Sequence, residues 1–345
     1  MQKTAVICGC GAMAKGWLKA IADHSDLAAQ VRIVGLVDLD LATARKLAED
    51  CGLADARLFL DLDQALTELK PDLLFDIVVP PARHVVVETG LRHGCHVLSE
   101  KPMASSLDDA RSLIEKAKAA GRIHAIVQNR RYIQGVRRLR AFIESGAIGD
   151  LTGLHADFFI GAHFGGFRED MDNVLLLDMA IHTFDAARFM SGKIPEAVYC
   201  HETNPKGSWY RTGASAFAIF EMSDAVRFTY RGSWSAEGAN TSWESRWRIT
   251  GSRGTVLWDG AEDFDAHRVA AQEGFLRDQE ALVVPEAPDA SETEGHASVI
   301  RAFLEAISKG TAPETRAEDN IRSLAMVMGA IESVRTGQRV LINEV

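Results

Sequence analysis

The sequence predicts an α/β domain with a doubly wound sheet, followed by an α+β domain with a mostly antiparallel open sheet. Continuous apolar strands alternate with helices over the first 128 residues, which is typical of a parallel sheet covered on both faces. A glycine-rich turn joins the first strand to the first helix. Beyond it, strand-like runs follow one another through short turns. A chain of 345 residues exceeds the usual size of one core, so we expect two domains, 1–128 and 129–345.

The strands of the first domain are expected in short apolar runs, with helices between them. The strands are expected at Thr4–Cys8, Val31–Val37, Leu73–Val79, Cys95–Ser99 and Ile123–Gln128. The helices are expected at Ala12–Ala22, Leu41–Asp50, His84–Arg92 and Leu107–Ala120. Pro80-Pro81 ends the third strand, because proline cannot donate a hydrogen bond to a ladder.

The second domain is expected to begin near Gln128–Asn129 with a helix at Gly135–Ser145, which Gly146-Ala147-Ile148-Gly149 closes. The strands are expected at Leu151–Ile160, Ala197–His201, Ala214–Glu221, Ala225–Trp234, Ser245–Thr250 and Thr255–Asp259. The helices are expected at 175–190, Glu292–Lys309 and Ala317–Thr336.

Composition excludes several classes of protein. A net charge of -10 argues against nucleic acid or an anionic membrane as the main partner. No window approaches eighteen apolar residues, so no membrane span is expected. The run Met1-Gln2-Lys3-Thr4 leads directly into a strand, which leaves no room for a signal peptide and predicts a cytoplasmic protein. The five cysteines form no CxxC pair, so we expect reduced, buried thiols and no metal site.

The turn Gly9-Cys10-Gly11-Ala12-Met13-Ala14 has the form of a Rossmann-type dinucleotide fingerprint, with a strand before it and a helix after it. Gly9 permits a tight turn, and Gly11 lets the backbone approach a pyrophosphate. Ala14 allows close packing of helix on strand. The following helix, beginning at Ala12 and Met13, offers N–H groups to the phosphates. The alternative is a glycine-rich turn without a ligand.

Asp38 ends the second strand, where a carboxylate can accept hydrogen bonds from the adenosine ribose hydroxyls. It would repel a 2′-phosphate, and neither Leu39 nor Asp40 supplies an arginine to hold one. NAD is therefore favoured over NADP. The alternative is that Asp38 caps the next helix, a role that Asp40 could fill instead.

Lys101 lies in Glu100-Lys101-Pro102, directly after the apolar run that ends at Ser99. Proline biases the residue before it toward extended geometry, so we expect the lysine at a strand end, where open α/β sheets bind their ligands.

Three polar residues, Asp178, His182 and Asp185, interrupt the apolar stretch at 175–190. On an α-helix Asp178 and His182 would share one face. Buried polar groups need partners. The pair is therefore either part of a functional site, an internal hydrogen bond of the core, or two ligands of a metal without obvious further ligands.

These motifs together resemble the glucose-fructose oxidoreductase / inositol dehydrogenase / rhizopine-catabolism (Gfo/Idh/MocA) family over nearly the whole chain. Besides the glycine turn, the motifs that carry the resemblance are Pro80-Pro81-Ala82-Arg83-His84, Gly94-Cys95-His96-Val97-Leu98-Ser99-Glu100-Lys101-Pro102, Asn129-Arg130-Arg131-Tyr132, Gly146-Ala147-Ile148-Gly149 and Asp178-Met179-Ala180-Ile181-His182. Ala82 stands where the family usually has asparagine.

The resemblance implies NAD(P)-dependent oxidation of a hydroxyl in a sugar, a polyol such as an inositol, or a sugar-derived compound. It puts Lys101, Asp178 and His182 at the catalytic positions. A histidine can act as the base for the hydroxyl proton, an aspartate can orient it, and a lysine can stabilise negative charge on the reacting oxygen. Lys101 and His182 could exchange these roles.

The resemblance also suggests cofactor contacts at Pro80, His84 and Lys101, while Glu100 either positions the lysine or touches the ribose side. Substrate contacts are expected from Arg130, Tyr132, His163 and Arg168, each with an alternative as surface charge or domain clamp.

Three tryptophans, Trp234, Trp243 and Trp247, are expected in sheet packing or an oligomer face. The family commonly pairs subunits through its exposed sheet, which implies a homodimer or homotetramer. Two other functions occur in the family, an NAD-using glycosidase and a cofactor-binding regulator without turnover. The regulator predicts loss of the lysine or the histidine, and both are present.

Overall fold

A computed structural model describes residues 2–271, 273–287 and 289–342. The chain divides into two compact units. Unit 1 is Met1–Asn129 with Glu294–Leu324, and unit 2 is Arg130–Thr293 with Ala325–Val345. Unit 1 thus takes a segment, Glu294–Leu324, that the sequence assigned to the second domain; the predicted boundary after residue 128 stays a prediction.

Unit 1 is built on a parallel sheet of six strands within the described residues, in the order β3-β2-β1-β4-β5-β6. The strands are β1 (Lys3–Cys8), β2 (Val31–Val37), β3 (Arg57–Phe59), β4 (Leu73–Asp76), β5 (His96–Ser99) and β6 (His124–Ile126). The helices that alternate with them are α1 (Ala12–Ala22), α2 (Ser25–Gln30), α3 (Leu41–Asp50), α4 (Leu62–Leu69), α5 (Pro80–Arg92) and α6 (Leu107–Ala120). Val6, Leu74 and Val97 on neighbouring strands are fully buried and form the centre of one core, which follows from covering a parallel sheet on both faces.

Unit 2 is built on a sheet of nine strands among the described residues, in which only β7 and β10 pair in parallel. The strands are β7 (Leu151–Phe159), β8 (Pro195–Thr203), β9 (Ser215–Met222), β10 (Arg227–Ser233), β11 (Arg246–Gly251), β12 (Gly254–Trp258), β13 (Phe264–Val269), β14 (Gln279–Leu282) and β15 (Val340–Leu341). Alternate residues of β8 and β9 are buried and exposed, as expected for a sheet with one covered face.

Four helices follow the first sheet in the described chain. They are α7 (Gln134–Glu144), α8 (Ile181–Ser191), α9 (His296–Lys309) and α10 (Ala317–Thr336). α7 and α8 belong to unit 2, α9 to unit 1, and the division falls within α10. None of the described helices is long and apolar enough to cross a membrane.

The predicted fold class is confirmed, whereas several element boundaries are wrong. β4 ends at Asp76 rather than Val79, and Pro80 begins α5 rather than only ending a strand, because proline is well suited to the first turn of a helix. The strands β13 and β14 were not predicted, because their alternation of polar residues carries no apolar run. α2, β3 and α4 were also missed.

Candidate functional site

The predicted cofactor residues of unit 1 come from the carboxyl ends of parallel strands. Gly9 follows β1 and Asp38 follows β2, while Pro80 lies four residues after the end of β4 and Lys101 two residues after the end of β5. Parallel strands present their carboxyl ends at one edge of a sheet. That edge is where ligands bind in open α/β folds.

The two glycines of the first turn differ in what surrounds them. Gly9 has φ +93°, and a Cβ there would lie 2.7 Å from the carbonyl carbon and oxygen of Ile77, so only glycine fits. A Cβ on Gly11 would meet nothing within 4 Å, so the chain itself leaves this space open. Ala12 and Met13 are exposed, while Ala14 is fully buried against the sheet.

The amino end of α1, like those of α2 and α5, has no side-chain cap among the residues that the structure describes. The first turns of α3, α4 and α6 are capped by Asp40, Asp61 and Ser106. Within the described residues, no side chain caps α1 at Gly11. An uncapped helix start beside an open glycine has the donors and the room that a pyrophosphate requires.

Asp38 does not cap α3. Its Oδ2 accepts a hydrogen bond from the Cys10 amide at 2.8 Å, and its Oδ1 accepts one from the Asp40 amide at 3.0 Å. Asp40 is the cap of α3 and accepts hydrogen bonds from the amides of Ala42 and Thr43. The pKa of Asp40 is lowered mainly by a further bond from the Thr43 hydroxyl and then by the amide bonds. Each Asp38 oxygen keeps a second lone pair for a ribose hydroxyl.

The residues at this edge fit NAD. Open space at Gly11, the uncapped α1 and the Asp38 carboxylate supply partners for pyrophosphate and ribose. Leu39 and Val79 are 95% and 54% exposed beside them, so apolar surface is available to an adenine ring.

Glu100 is buried directly before Lys101. Its Oε1 accepts from the Trp17 indole at 2.8 Å, and its Oε2 accepts from the Lys101 amide at 3.2 Å. Burial raises the pKa of Glu100, but His296, Trp17 and Lys101 outweigh it and hold the pKa below its usual value. These contacts favour the reading in which Glu100 positions the lysine.

The turn after Lys101 is held by a buried ion pair that was not singled out from the sequence. Arg83 of α5 donates from Nε to Asp76 Oδ2 at 2.8 Å and from Nη1 to the Pro102 carbonyl at 2.5 Å. The neighbouring His84 is partly buried, with Glu88 at 3.8 Å and Asp109 at 4.0 Å. A signal existed: Asp76 is a charged residue inside an apolar strand, and such a residue requires a partner.

In unit 2, Asp178 lies in a π-helical turn, Leu176–Ala180, and His182 lies in the first turn of α8. The expected continuous α-helix is therefore wrong here, and the α-helical spacing assumed for Asp178 and His182 does not hold across this turn. π-turns occur frequently at functional sites. Arg168 donates from Nε to Asp178 Oδ2 at 3.0 Å, and its guanidinium lies 5.0 Å from the ring centres of Phe164 and Phe167.

His182 lines a small cleft in unit 2. Its walls include Arg130, Trp243, Glu244 and Trp247. Arg130 is paired with Glu244, and burial lowers the pKa of Arg130 to about 10. Trp247 is buried in the sheet as expected, whereas Trp243 is 46% exposed in the same cleft and offers a face to a ligand.

The remaining predicted substrate residues do not join this cleft. Tyr132 is 2% exposed and lies under the Arg137 guanidinium. Arg131 forms a buried bidentate ion pair with Asp185 at 2.6 and 2.7 Å, so Asp185 holds α8 in place. His163 is exposed, stacks on Trp209 at 3.7 Å and bonds to Glu237.

The described residues contain no group of three or more metal-ligating side chains close enough to hold an ion.

Two family models match the chain. An oxidoreductase family with an NAD-binding Rossmann fold, GFO_IDH_MocA, matches residues 3–128, and the GFO/IDH/MocA C-terminal domain matches residues 136–257.

Known proteins are similar over almost the full length. The chain is 26% identical to the uncharacterized protein y4oX of Sinorhizobium fredii, covering 97% of this chain and 94% of that protein. It is 22% identical to D-apiose dehydrogenase of Paraburkholderia graminis, covering 96% and 88%.

Solved structures share the fold at low identity. An oxidoreductase from Agrobacterium radiobacter, in complex with NAD+, L-tartaric acid and magnesium, superimposes with a TM-score of 0.85 at 19% identity and 99% coverage of both chains. The WlbA dehydrogenase from Bordetella pertussis, in complex with NADH and UDP-GlcNAcA, gives a TM-score of 0.82 at 19% identity, covering 100% of this chain and 99% of that one.

Proposed function

Since the chain belongs to the GFO/IDH/MocA oxidoreductase family, with an NAD-binding Rossmann domain, we propose that it oxidises one hydroxyl of a sugar, a polyol or a sugar-derived compound. The observation that carries the proposal is the carboxyl edge of the unit 1 sheet. There Lys101 follows β5 at the same edge as the glycine turn and Asp38. The names of relatives, among them D-apiose dehydrogenase and D-xylose dehydrogenase of Paenarthrobacter nicotinovorans, support a sugar substrate.

The cofactor would be held by the chain's own polar groups. The amides at the start of α1 face the pyrophosphate, and the Asp38 carboxylate accepts from the ribose hydroxyls. Asp38 and Asp40 together place two carboxylates at the end of β2, which disfavours the additional phosphate of NADP. When bound, NAD supplies the hydride acceptor.

The proton chemistry is assigned to Lys101 and His182. One of them takes the hydroxyl proton, and the other donates a hydrogen bond to the reacting oxygen. Asp178 orients the histidine, and the ion pair with Arg168 fixes Asp178 in turn. Arg130 and Trp243 lie in the His182 cleft, where the guanidinium can bind hydroxyl oxygens and the indole can cover an apolar sugar face.

The test is an NADH absorbance assay with the wild-type protein and NAD over a panel of aldoses, inositols and sugar acids. We expect NADH with at least one neutral sugar or polyol. Lys101→Ala and His182→Asn should each lower kcat by at least about 100-fold with NAD affinity unchanged. The matched control is His93→Asn, because His93 lies at the carboxyl end of α5, opposite the amino end that begins with Pro80, and should leave the rate as it is.

Two results would contradict the proposal. If NAD binds and no compound yields NADH, the protein is not a dehydrogenase of these substrates, and glycoside hydrolysis with NAD present is the next assay. If a substrate is oxidised but His182→Asn keeps the wild-type rate, the proton role belongs to another residue.

A further inference from the structure

A buried ion pair between Asp76 and Arg83 supports the loop that carries Lys101. Asp76 at the end of β4 is fully buried, and Arg83 is 1% exposed. All three guanidinium nitrogens are engaged: Nε with Asp76, Nη1 with the Pro102 carbonyl and Nη2 with the Val78 carbonyl, the last two at 2.5 Å. One arginine thus joins the turn after β4 to the turn after β5.

The Asp76–Arg83 ion pair carries a large desolvation cost if its only role is to stabilise the fold. Removing two charges from water costs several kcal/mol per ion, and an apolar pair of similar volume is often as stable. Burial raises the pKa of Asp76, and the Arg83 guanidinium opposes that rise. Net stability alone is therefore a weak explanation of this pair.

What it gives is a fixed geometry next to Lys101. The Pro102 carbonyl follows the lysine by one residue, and its donor is an arginine whose own position is set by Asp76. The planar fork of a guanidinium can hold a carboxylate and two carbonyls in fixed directions, whereas an ammonium group is a point charge on a flexible stem. On the other side, the Lys101 amide is held by Glu100 Oε2.

We propose that Arg83 is a positioning residue for catalysis, which sets the orientation of Lys101 through the Pro102 carbonyl. The inference rests on the proposed function, because it requires Lys101 to act on the substrate. A misplacement on the scale of 1 Å can cost about 100-fold in rate, so a small loss of anchoring is enough to be measured.

The first test is Arg83→Lys, which keeps the charge next to Asp76 and removes the fork. We expect kcat to fall about 10- to 100-fold, with KM and NAD affinity unchanged. Arg122→Lys is the matched control, because exposed Arg122 also donates to a turn carbonyl of the same sheet, that of Gly94 at 2.6 Å. Leu66→Ala in the unit 1 core is the stability control, and it should lower the melting temperature and leave kcat near wild type.

The second test asks whether Arg83 acts through the lysine. In a Lys101→Ala background, Arg83→Lys should cause no further loss of kcat, since residues that act as one unit are not additive. An equal loss in both backgrounds overturns the inference, as does wild-type kcat in Arg83→Lys. If Lys101→Ala is itself fully active, the proposed role of the lysine fails first, and any loss in Arg83→Lys then has another cause.

A third measurement does not depend on knowing the substrate. Hydrogen exchange of the full-length protein should become faster in Arg83→Lys at the Glu100, Lys101 and Met103 amides and remain unchanged at β1 and β2. Unchanged exchange at these amides, or faster exchange throughout unit 1, contradicts the inference even if no substrate is found.

Discussion

Replacing the glycines of the first turn one at a time separates folding from cofactor binding. Gly9, Gly11 and Gly16 lie within eight residues of one another, yet their surroundings differ. An added Cβ meets the Ile77 backbone at 2.7 Å in the first case and nothing within 4 Å in the other two. Gly9→Ala should therefore damage the fold, and Gly11→Ala should damage only binding.

The expected magnitudes follow from these contacts. Alanine at φ +93° costs about 1–2 kcal/mol in backbone strain, and relieving a 2.7 Å contact with fixed backbone adds to it. Gly11 has φ -73°, which alanine adopts freely, so the stability of Gly11→Ala should stay within about 0.5 kcal/mol of wild type. Gly16 lies inside α1, and Gly16→Ala should stabilise the protein by roughly 0.5–1 kcal/mol.

The assay combines urea unfolding of the free protein with calorimetric titration of NAD. The Cβ of Gly11→Ala occupies the space reserved for the pyrophosphate, so Kd for NAD should rise at least about tenfold, equivalent to ~1.4 kcal/mol. Gly16→Ala is the control and should bind NAD as wild type does. Wild-type affinity in Gly11→Ala would refute the assignment of this turn to the pyrophosphate.

Asp38→Ala should weaken the binding of NAD and reduce the preference for NAD over NADP. If titrations with both cofactors show an unchanged ratio of affinities, Asp38 has only its structural bond to Cys10. Burial, with a contribution from Arg83, lowers the pKa of His124 to about 3. The unfolded chain protonates this histidine below about pH 6.5 and the folded chain does not, so the free energy of unfolding should fall by about 2 kcal/mol between neutral pH and pH 5. In urea unfolding, His124→Gln should reduce this dependence of stability on pH. An equal dependence in the variant would contradict the assignment of the effect to His124. The exposed side chains of Phe217 and Ile219 on β9 predict that a homodimer or homotetramer pairs through this sheet face, so Ile219→Lys should lower the mass measured by light scattering, and an unchanged mass would place the interface elsewhere.

Local signals in the sequence predict the bounds of four elements of unit 1. α1, β2, α3 and α6 have the bounds expected of them. Each is delimited by residues with a physical reason to be there, such as Ser106 accepting from the Asp109 amide before α6 and Gly121 with φ +61° after it. Such punctuation is local, so the sequence is sufficient to locate it.

Other features depend on partners that spacing does not specify. Asp76 is conspicuous in an apolar strand, but nothing in the sequence identifies Arg83, rather than another cation, as its partner. The π-turn at Leu176–Ala180 has the same apolar pattern as an α-helix, so periodicity does not separate the two. Trp243 and Trp247 look alike in the sequence, and only the fold leaves one exposed and buries the other.

The candidate site shows one recurring device, in which a side chain holds the backbone of a functional turn. Asp38 holds the Cys10 amide, Glu100 holds the Lys101 amide, and Arg83 holds the Pro102 carbonyl. The N–H and C=O groups of a turn have no partners in a helix or sheet, so they need hydrogen bonds from side chains or water. A side chain holds the turn in one orientation, whereas water does not. All three supports are charged, and charge-assisted bonds are about twice as strong as neutral ones. Isosteric neutral substitutions such as Glu100→Gln should therefore loosen the turn while preserving its packing, and they should reduce turnover or cofactor affinity more than they reduce the free energy of unfolding.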